Sequence, residues 1–391
     1  MTVSINSPEP PSVAADTTHS ERPNTASPFR LPWKILGQTT GFPNEDQELW
    51  WSNTAPLFNE LLAECDYDAQ LQYQYVLFFR HHVIPVLGPF FSSGATPNFA
   101  SRLSKHGHPL DFSVNFQKSG ATVRMSFAAI GSFAGLQRDP LNQFRAREVL
   151  DRLAILYPNV DLQLFRHFEA EFSINAADAQ KVASKLPKLD WGTKMMAIDM
   201  LKNGSMTFKV YYMCRAKAAA SGLPVSTIIF NAIQRLGSAF EPGVSLLRQF
   251  LPPLCETGKA DLGLLSFDCV ATEFSRIKVY VINQFGSLES IRDLWTLGGA
   301  LEDQTIMKGL EVLEHVCELI QFRWSDDSRY QPILFNYEIK KGSVPKPQIY
   351  LPLADRNDQY DVAKLKEVFQ DLEWKRVPFY QDTGKQLAPV L

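Results

Sequence analysis

Lys209 and Tyr211 stand two residues apart in an otherwise apolar run, Met206 to Met213. Side chains alternate faces along a strand, so Thr207, Lys209, Tyr211 and Met213 share one face, and Met206, Phe208, Val210 and Tyr212 the other. The pattern recurs. The run from Phe274 to Tyr280 puts Arg276, Lys278 and Tyr280 on one face, and Gln348-Ile-Tyr350 repeats a polar residue and a tyrosine at the same spacing. Arg124 lies on a further alternating run, Ala121 to Phe127. Such faces offer fixed positive charge beside phenolic hydroxyls. For a single Lys-x-Tyr the plainer explanation is the solvated side of a half-buried strand; several in one chain need a better one.

The elements that carry these residues follow from periodicity. Two apolar runs flank Asn203-Gly204, a tight-turn signal, so Thr193 to Met213 reads as a β-hairpin. Leu110 to Phe116 and Ala121 to Phe127 form a second pair around Lys118-Ser-Gly120. Leu264 to Val281 reads as a third pair, and Pro332 to Ile339 with Gln348 to Leu353 as a fourth. Helical spacing fits two helices within Pro43 to Pro89, then Pro140 to Leu156, Leu162 to Phe172, Val225 to Leu251, Leu288 to Leu297, Thr305 to Gln321 and Val362 to Leu372. Helices and hairpins thus alternate with a period of roughly 70 to 80 residues, too long for a common solenoid repeat. Repeated hairpins imply antiparallel pairing. A sheet polar on one face and apolar on the other implies a barrel with a functional lumen and helices outside.

Composition sets bounds. With 45% hydrophobic and 21% charged residues over 391 positions, the chain can bury an ample core. A formal net charge of −3 gives no general attraction to nucleic acid or an anionic membrane, so any basic site is local. The five cysteines contain no C-x-x-C pair and leave an odd count, which points to reduced thiols and a cytoplasmic setting. No apolar run is long enough to span a membrane. Residues 1–40 read as a disordered Ser/Thr/Pro-rich tail, and 41–391 as a single domain. A homodimer is the one protein assembly allowed for.

Several segments together resemble the fungal indole prenyltransferases of the dimethylallyltryptophan synthase family, particularly those acting on tryptophan-containing cyclic dipeptides. They are ELWWSNTAPLFNELL (48–62), YQYVLFFRHHVIPVLGPF (73–90), HPLDFSVNFQKSG (108–120), the Lys-x-Tyr hairpin, RIKVY (276–280), LWTLGG (294–299), FNYEI (335–339) and PQIYLPL (347–353). They follow the family's order over nearly all of residues 40–385. The resemblance implies an α+β fold, a ten-stranded antiparallel barrel ringed by helices and built from ααββ units. It implies transfer of a dimethylallyl group from its diphosphate to an indole-type ring, without a metal or other cofactor. Arg124, Lys209, Arg276 and Lys278 match diphosphate-binding positions. Tyr211, Tyr280, Tyr350 and Gln348 complete that polar end, with tyrosine faces shielding an allylic cation. Asp111 falls where the family has Glu, which accepts the indole N–H; the shorter side chain withdraws the carboxylate by about one C–C bond, ~1.5 Å. A turn cap after Pro109 is the plain alternative for it.

Departures are expected too. Ala128-Ala129 replaces the family's Glu-Pro, and Met196 matches the catalytic lysine of members that prenylate tryptophan at ring position 4. Lys194, two residues earlier on the same strand face, is a substitute base or a solvated strand-end lysine. The sequence to Leu391 leaves too little for the family's last strand pair, which makes an inactive relative that binds ligand without turnover the alternative to an enzyme. Asn357 to Asp361 superficially resembles an aspartate-rich metal motif but stands alone, and His81, His82, His106 and His108 lack ligand partners at metal spacing.

Overall fold

The structure, a computed structural model, describes residues 2–6 and 31–372 apart from 40, 93–96, 98, 105, 118–119, 188–190, 285, 323, 325–331 and 353–356. Four hairpins organise it: β2 (Leu110–Gln117) with β3 (Gly120–Phe127), β4 (Lys194–Met200) with β5 (Met206–Met213), β6 (Ala260–Asp268) with β7 (Ile277–Asn283), and β8 (Ile333–Ile339) with β9 (Lys346–Pro352). Consecutive hairpins pair antiparallel, and a short strand β1 (Thr2–Asn6) adds to the outside of β9. The result is one curled, nine-stranded sheet in the order β1-β9-β8-β7-β6-β5-β4-β3-β2. The expected antiparallel barrel with helices outside, open where the last strand pair is lacking, is borne out in its α+β class and curled antiparallel sheet; its ten strands are not, since among the described residues there are nine, and β1 and β2 are not paired to each other. The chain beyond 372 lies outside the described residues.

Helices precede each hairpin: α1 (Pro32–Thr39), α2 (Glu45–Glu64) and α3 (Ala69–Phe78), then α4 (Arg145–Leu156), α5 (Gln163–Phe172) and α6 (Ala176–Ala183), then α7 (Arg215–Ser221), α8 (Val225–Gln234) and α9 (Glu241–Glu256), then α10 (Leu288–Thr296) and α11 (Gln304–Leu319). The last, α12 (Asp358–Asp371), follows β9. Within residues 1–40 lie the strand β1 and the helix α1. The expected helix from Val225 to Leu251 is two, broken at Gly237, whose φ of +112° leaves the helical region. The helix expected from Pro140 begins at Arg145, because the Asp139 carboxylate accepts from the Gln143 and Phe144 amides instead. Asn357 caps α12, its side chain accepting from the Gln359 and Tyr360 amides.

The sheet's two faces are chemically opposite. Outward residues such as Val123, Met196, Ile198, Phe208, Val210, Phe267, Val279 and Ile349 are buried with Phe58, Phe79, Phe168 and Trp295 of the helix layer. Each fully buried apolar side chain contributes about 1.5–3 kcal/mol, so this face fixes which side chains turn inward. Polar tips in that layer find partners: the Trp295 indole N–H donates to the Ile306 carbonyl at 2.9 Å and the Tyr337 hydroxyl to the Leu294 carbonyl at 2.6 Å. No single described helix is long and apolar enough to cross a membrane; the bent pair α7–α8 is long and apolar enough in combination but packs within the helix layer.

The hairpin geometry corrects one expectation. The β4–β5 connection is five residues, Leu201 to Ser205, rather than a two-residue Asn-Gly turn, with Gly204 at φ +84° and Met200 opposite Met206. That register faces Met195, Ala197 and Asp199 inward with Lys209 and Tyr211. Lys194 and Met196 therefore point outward to the helices.

Candidate active site

The inward face gathers the residues singled out above. Arg124 on β3 stands directly across from Asp199 on β4, Lys209 on β5 across from Asp268 on β6, and Lys278 on β7 across from Glu338 on β8. Arg276 immediately precedes β7. Tyr211, Tyr280 and Tyr350 lie one step further along, with ring centroids 6.0 Å and 6.3 Å apart in succession. The repeat behind this is visible in the numbering: Tyr211, Tyr280 and Tyr350 are 69 and then 70 residues apart, as are Lys209, Lys278 and Gln348.

Each cation is held. Arg124 donates from Nε and Nη2 to Asp199 at 2.5 and 3.2 Å. Lys209 Nζ contacts Asp199 at 3.1 Å and Asp268 at 2.7 Å. Arg276 donates to Asp268 at 2.7 Å and reaches Glu338 at 3.5 Å. Lys278 donates to Gln348 Oε1 at 2.7 Å and lies 3.6 Å from Glu338. Asp199, Asp268 and Glu338 were missed in the sequence. Their signal was there: each precedes the cation or glutamine of its own hairpin by ten residues.

Electrostatics follow from crowding of charges on the inner face of the curled sheet. Burial opposes the charge on Asp199, but Lys209 and Arg124 overcome it and hold the carboxyl well below its usual range. Asp268 is lowered in the same way, burial being outweighed by Lys209 and Arg276. Lys278 has only one carboxylate near it; burial, aided by Arg276, Lys209 and Arg124, pulls its ammonium down to about 7. Burial pushes the Tyr211 and Tyr280 phenols up, so both remain protonated donors. Ser266 Oγ donates to the Tyr280 hydroxyl at 3.4 Å, and Asn336 Nδ2 to the Tyr350 hydroxyl at 3.0 Å.

Asp111 sits inside β2 opposite Ser126, so it is not a turn cap. It shares the inward face with Arg124, one diagonal step away, ~7 Å between Cβ atoms for such a pair. Its side chain is exposed by area yet recessed within the curl, and that loss of solvation raises its carboxyl to about 6. Ala128 and Ala129 are buried at the end of the β2–β3 hairpin, where the Ala128 amide donates to the Pro109 carbonyl at 2.8 Å. Lys194 is neither a base facing the lumen nor a solvated lysine: buried behind the sheet, its Nζ contacts Glu169 at 2.8 Å and the Gln143 carbonyl at 2.8 Å. Met196 packs in the same apolar layer. Among the described residues no cluster of three or more His, Cys, Asp or Glu is arranged to hold a metal ion.

Residues 46–382 match the family described as tryptophan dimethylallyltransferase. The chain belongs to that family. It is an aromatic prenyltransferase of the indole-prenylating, fungal secondary-metabolite type. This prenyltransferase is 80% identical over 372 residues to trans-prenyltransferase abpB of Aspergillus terreus, covering 95% of this chain and 98% of that protein. It superposes on the crystal structure of AnaPT from Neosartorya fischeri with a TM-score of 0.82 at 43% identity, over 88% of this chain and 86% of that one. NotF, solved in complex with brevianamide F and DMSPP, matches at a TM-score of 0.79 and 30% identity, over 89% and 87% of the two chains. The relative of that name comes from an Aspergillus species.

Proposed function

We propose that this prenyltransferase transfers a dimethylallyl group from dimethylallyl diphosphate to an indole-type acceptor of the tryptophan-containing cyclic dipeptide class, without a metal ion. One observation carries the reading: Arg124, Lys209, Arg276 and Lys278 converge on the inner face of the curled sheet beside a row of three tyrosines, with Asp111 a diagonal step from Arg124. The cations take up the charge that develops on diphosphate as the allylic C–O bond breaks. Tyr211, Tyr280 and Tyr350 present ring faces to the allylic cation and keep water from it, while their hydroxyls can donate to phosphate oxygen. A ring carbon of the acceptor then forms the new C–C bond. The positive charge left on the indole is relieved when its N–H proton passes to Asp111, whose raised pKa makes the carboxylate a stronger base near neutrality. Likeness to NotF, solved with brevianamide F and DMSPP, supports both substrate classes.

The test is incubation with dimethylallyl diphosphate and a panel of indole acceptors, in buffer with and without excess EDTA. The expected result is prenylated cyclic dipeptide in equal yield in both. Loss of product on chelation, restored by Mg²⁺, would remove the metal-free element; product only from acceptors lacking an indole would remove the acceptor class.

A further inference from the structure

The cations of the inward face form a row in which carboxylates alternate with them: Arg124, Asp199, Lys209, Asp268, Arg276, Glu338, Lys278. Asp268 is the middle link. Its Oδ1 accepts from Lys209 Nζ at 2.7 Å and its Oδ2 from Arg276 Nε at 2.7 Å, with Arg276 Nη2 at 3.4 Å from Oδ1. Its backbone is pinned as well, the carbonyl accepting from Ser275 Oγ at 2.8 Å. The sheet goes out of its way to aim this residue. A bulge at Gly263 shifts the β6–β7 register between Leu262 and Leu264. Ala260 and Leu262 before it face the helices; Ser266 and Asp268 after it, which would otherwise follow them outward, face the lumen.

An ammonium has three N–H bonds. Asp199 and Asp268 approach Lys209 from its two flanking strands and take two of them, which leaves one. Arg276 spends Nε and Nη2 on Asp268, which sets the plane of its guanidinium and leaves Nη1 at a long 3.5 Å contact with Glu338.

We propose that Asp268 is a positioning residue for prenyl transfer: it locks Lys209 and Arg276 side by side so that their remaining N–H groups face a single diphosphate, while its own charge weakens the hold on that diphosphate. The proposal rests on the reading of this row as the diphosphate site. It predicts opposite effects on binding and turnover. Asp268→Asn keeps the size of the side chain but removes one negative charge, raising the row's net charge by one, and turns an amide N–H₂ toward a cation. Attraction for diphosphate is kept or increased, whereas orientation, which acts in the transition state, is lost.

The experiment compares wild type and Asp268→Asn by calorimetric titration with inorganic diphosphate and by steady-state prenyl transfer. The expected result is diphosphate affinity equal to or a few-fold tighter than wild type, with kcat reduced at least tenfold and melting temperature within a few degrees. An unchanged kcat, or diphosphate affinity weakened more than tenfold, overturns the proposal; a purely structural residue would lower folded yield without separating the two. If Asp268→Asn yields no folded protein, Asp268→Glu carries the test: kcat falls while diphosphate affinity stays within threefold, and a normal kcat overturns the proposal. Failure of wild type itself to bind inorganic diphosphate would instead sink the underlying reading of the site.

Discussion

Lys194 and Lys209 sit on paired strands of the same sheet and are each 5% exposed, yet they belong to different kinds of place. Lys194 faces the helices. Its ammonium is spent on Glu169 and the Gln143 carbonyl, and Glu169 also accepts from the Tyr212 hydroxyl at 2.7 Å and from Arg147, which is half in solvent. The buried members are one cation and one carboxylate, sealed by aromatic packing. Lys209 faces the lumen, in a row where four cations share three carboxylates. A closed pair with no charge left over serves packing; a row with positive charge in surplus fits the proposed role of receiving an anion. Burial alone does not distinguish the two, but face and stoichiometry do.

The sharpest way to break this comparison is to disturb each side in turn. Lys209→Ala should lower kcat by roughly two orders of magnitude, the effect of removing one electrostatic stabiliser. Its melting temperature should hold, because Asp199 and Asp268 each keep a second cation. Glu169→Gln, which strands Lys194 as a buried charge, should cost about 3–5 kcal/mol of unfolding free energy while kcat per folded molecule stays at the wild-type value. Denaturant titration alongside active-site-normalised kinetics reads both, and equal effects on both variants would erase the distinction.

Asp111→Asn separates the acceptor end from the cation row. Asparagine still accepts a hydrogen bond but takes no proton, so transfer should fall sharply while affinity for a thio-analogue of the donor stays within a few-fold. In wild type the carboxylate is present above its raised pKa, so kcat/KM should rise with pH through about 6 and lose that limb in the variant. Loss of donor binding instead would put Asp111 among the diphosphate ligands.

The smallest effect sharpens the row itself. Lys278 titrates near 7 when no anion faces it, and a bound diphosphate favours its charged form. Its contribution to affinity is then complete below pH 7 and declines by at most tenfold per unit as pH rises towards the pKa of the complex. Calorimetry at pH 8 in buffers of different ionisation enthalpy should show proton uptake on diphosphate binding that is absent in Lys278→Met. Equal uptake in both would assign the proton to the diphosphate alone.

Much of this was legible in the sequence because alternation is a strong signal. Lys209, Tyr211, Lys278, Tyr280 and Tyr350 interrupt apolar strands with period two, and the hairpins around them follow. What escaped was register. A two-residue turn at Asn203-Gly204 would have put Lys194 and Met196 on Lys209's face; the five-residue connection shifts the pairing by one and sends both to the other side. The ten-residue spacing marked Asp268, but how β6 reverses its facing between Leu262 and Leu264 did not show in the sequence, because that depends on the bulge at Gly263. Loop length and bulges are set by the packing of the whole sheet, and a strand's own composition does not report them.

Asp111 and the cations also differ in how firmly their strands are secured. Among the described residues β2 pairs only with β3, whereas β3, β5 and β7 have a partner on each side. Edge strands open at lower free energy than strands bonded on both sides. On the proposed reading, the carboxylate that would receive the acceptor rides on a strand paired on one side among the described residues, and the charges that would hold the donor ride on strands paired on both. If the proposed roles hold, enlarging the acceptor range by directed evolution should begin on β2, Leu110–Gln117, which among the described residues pairs on one side only, rather than on the central strands.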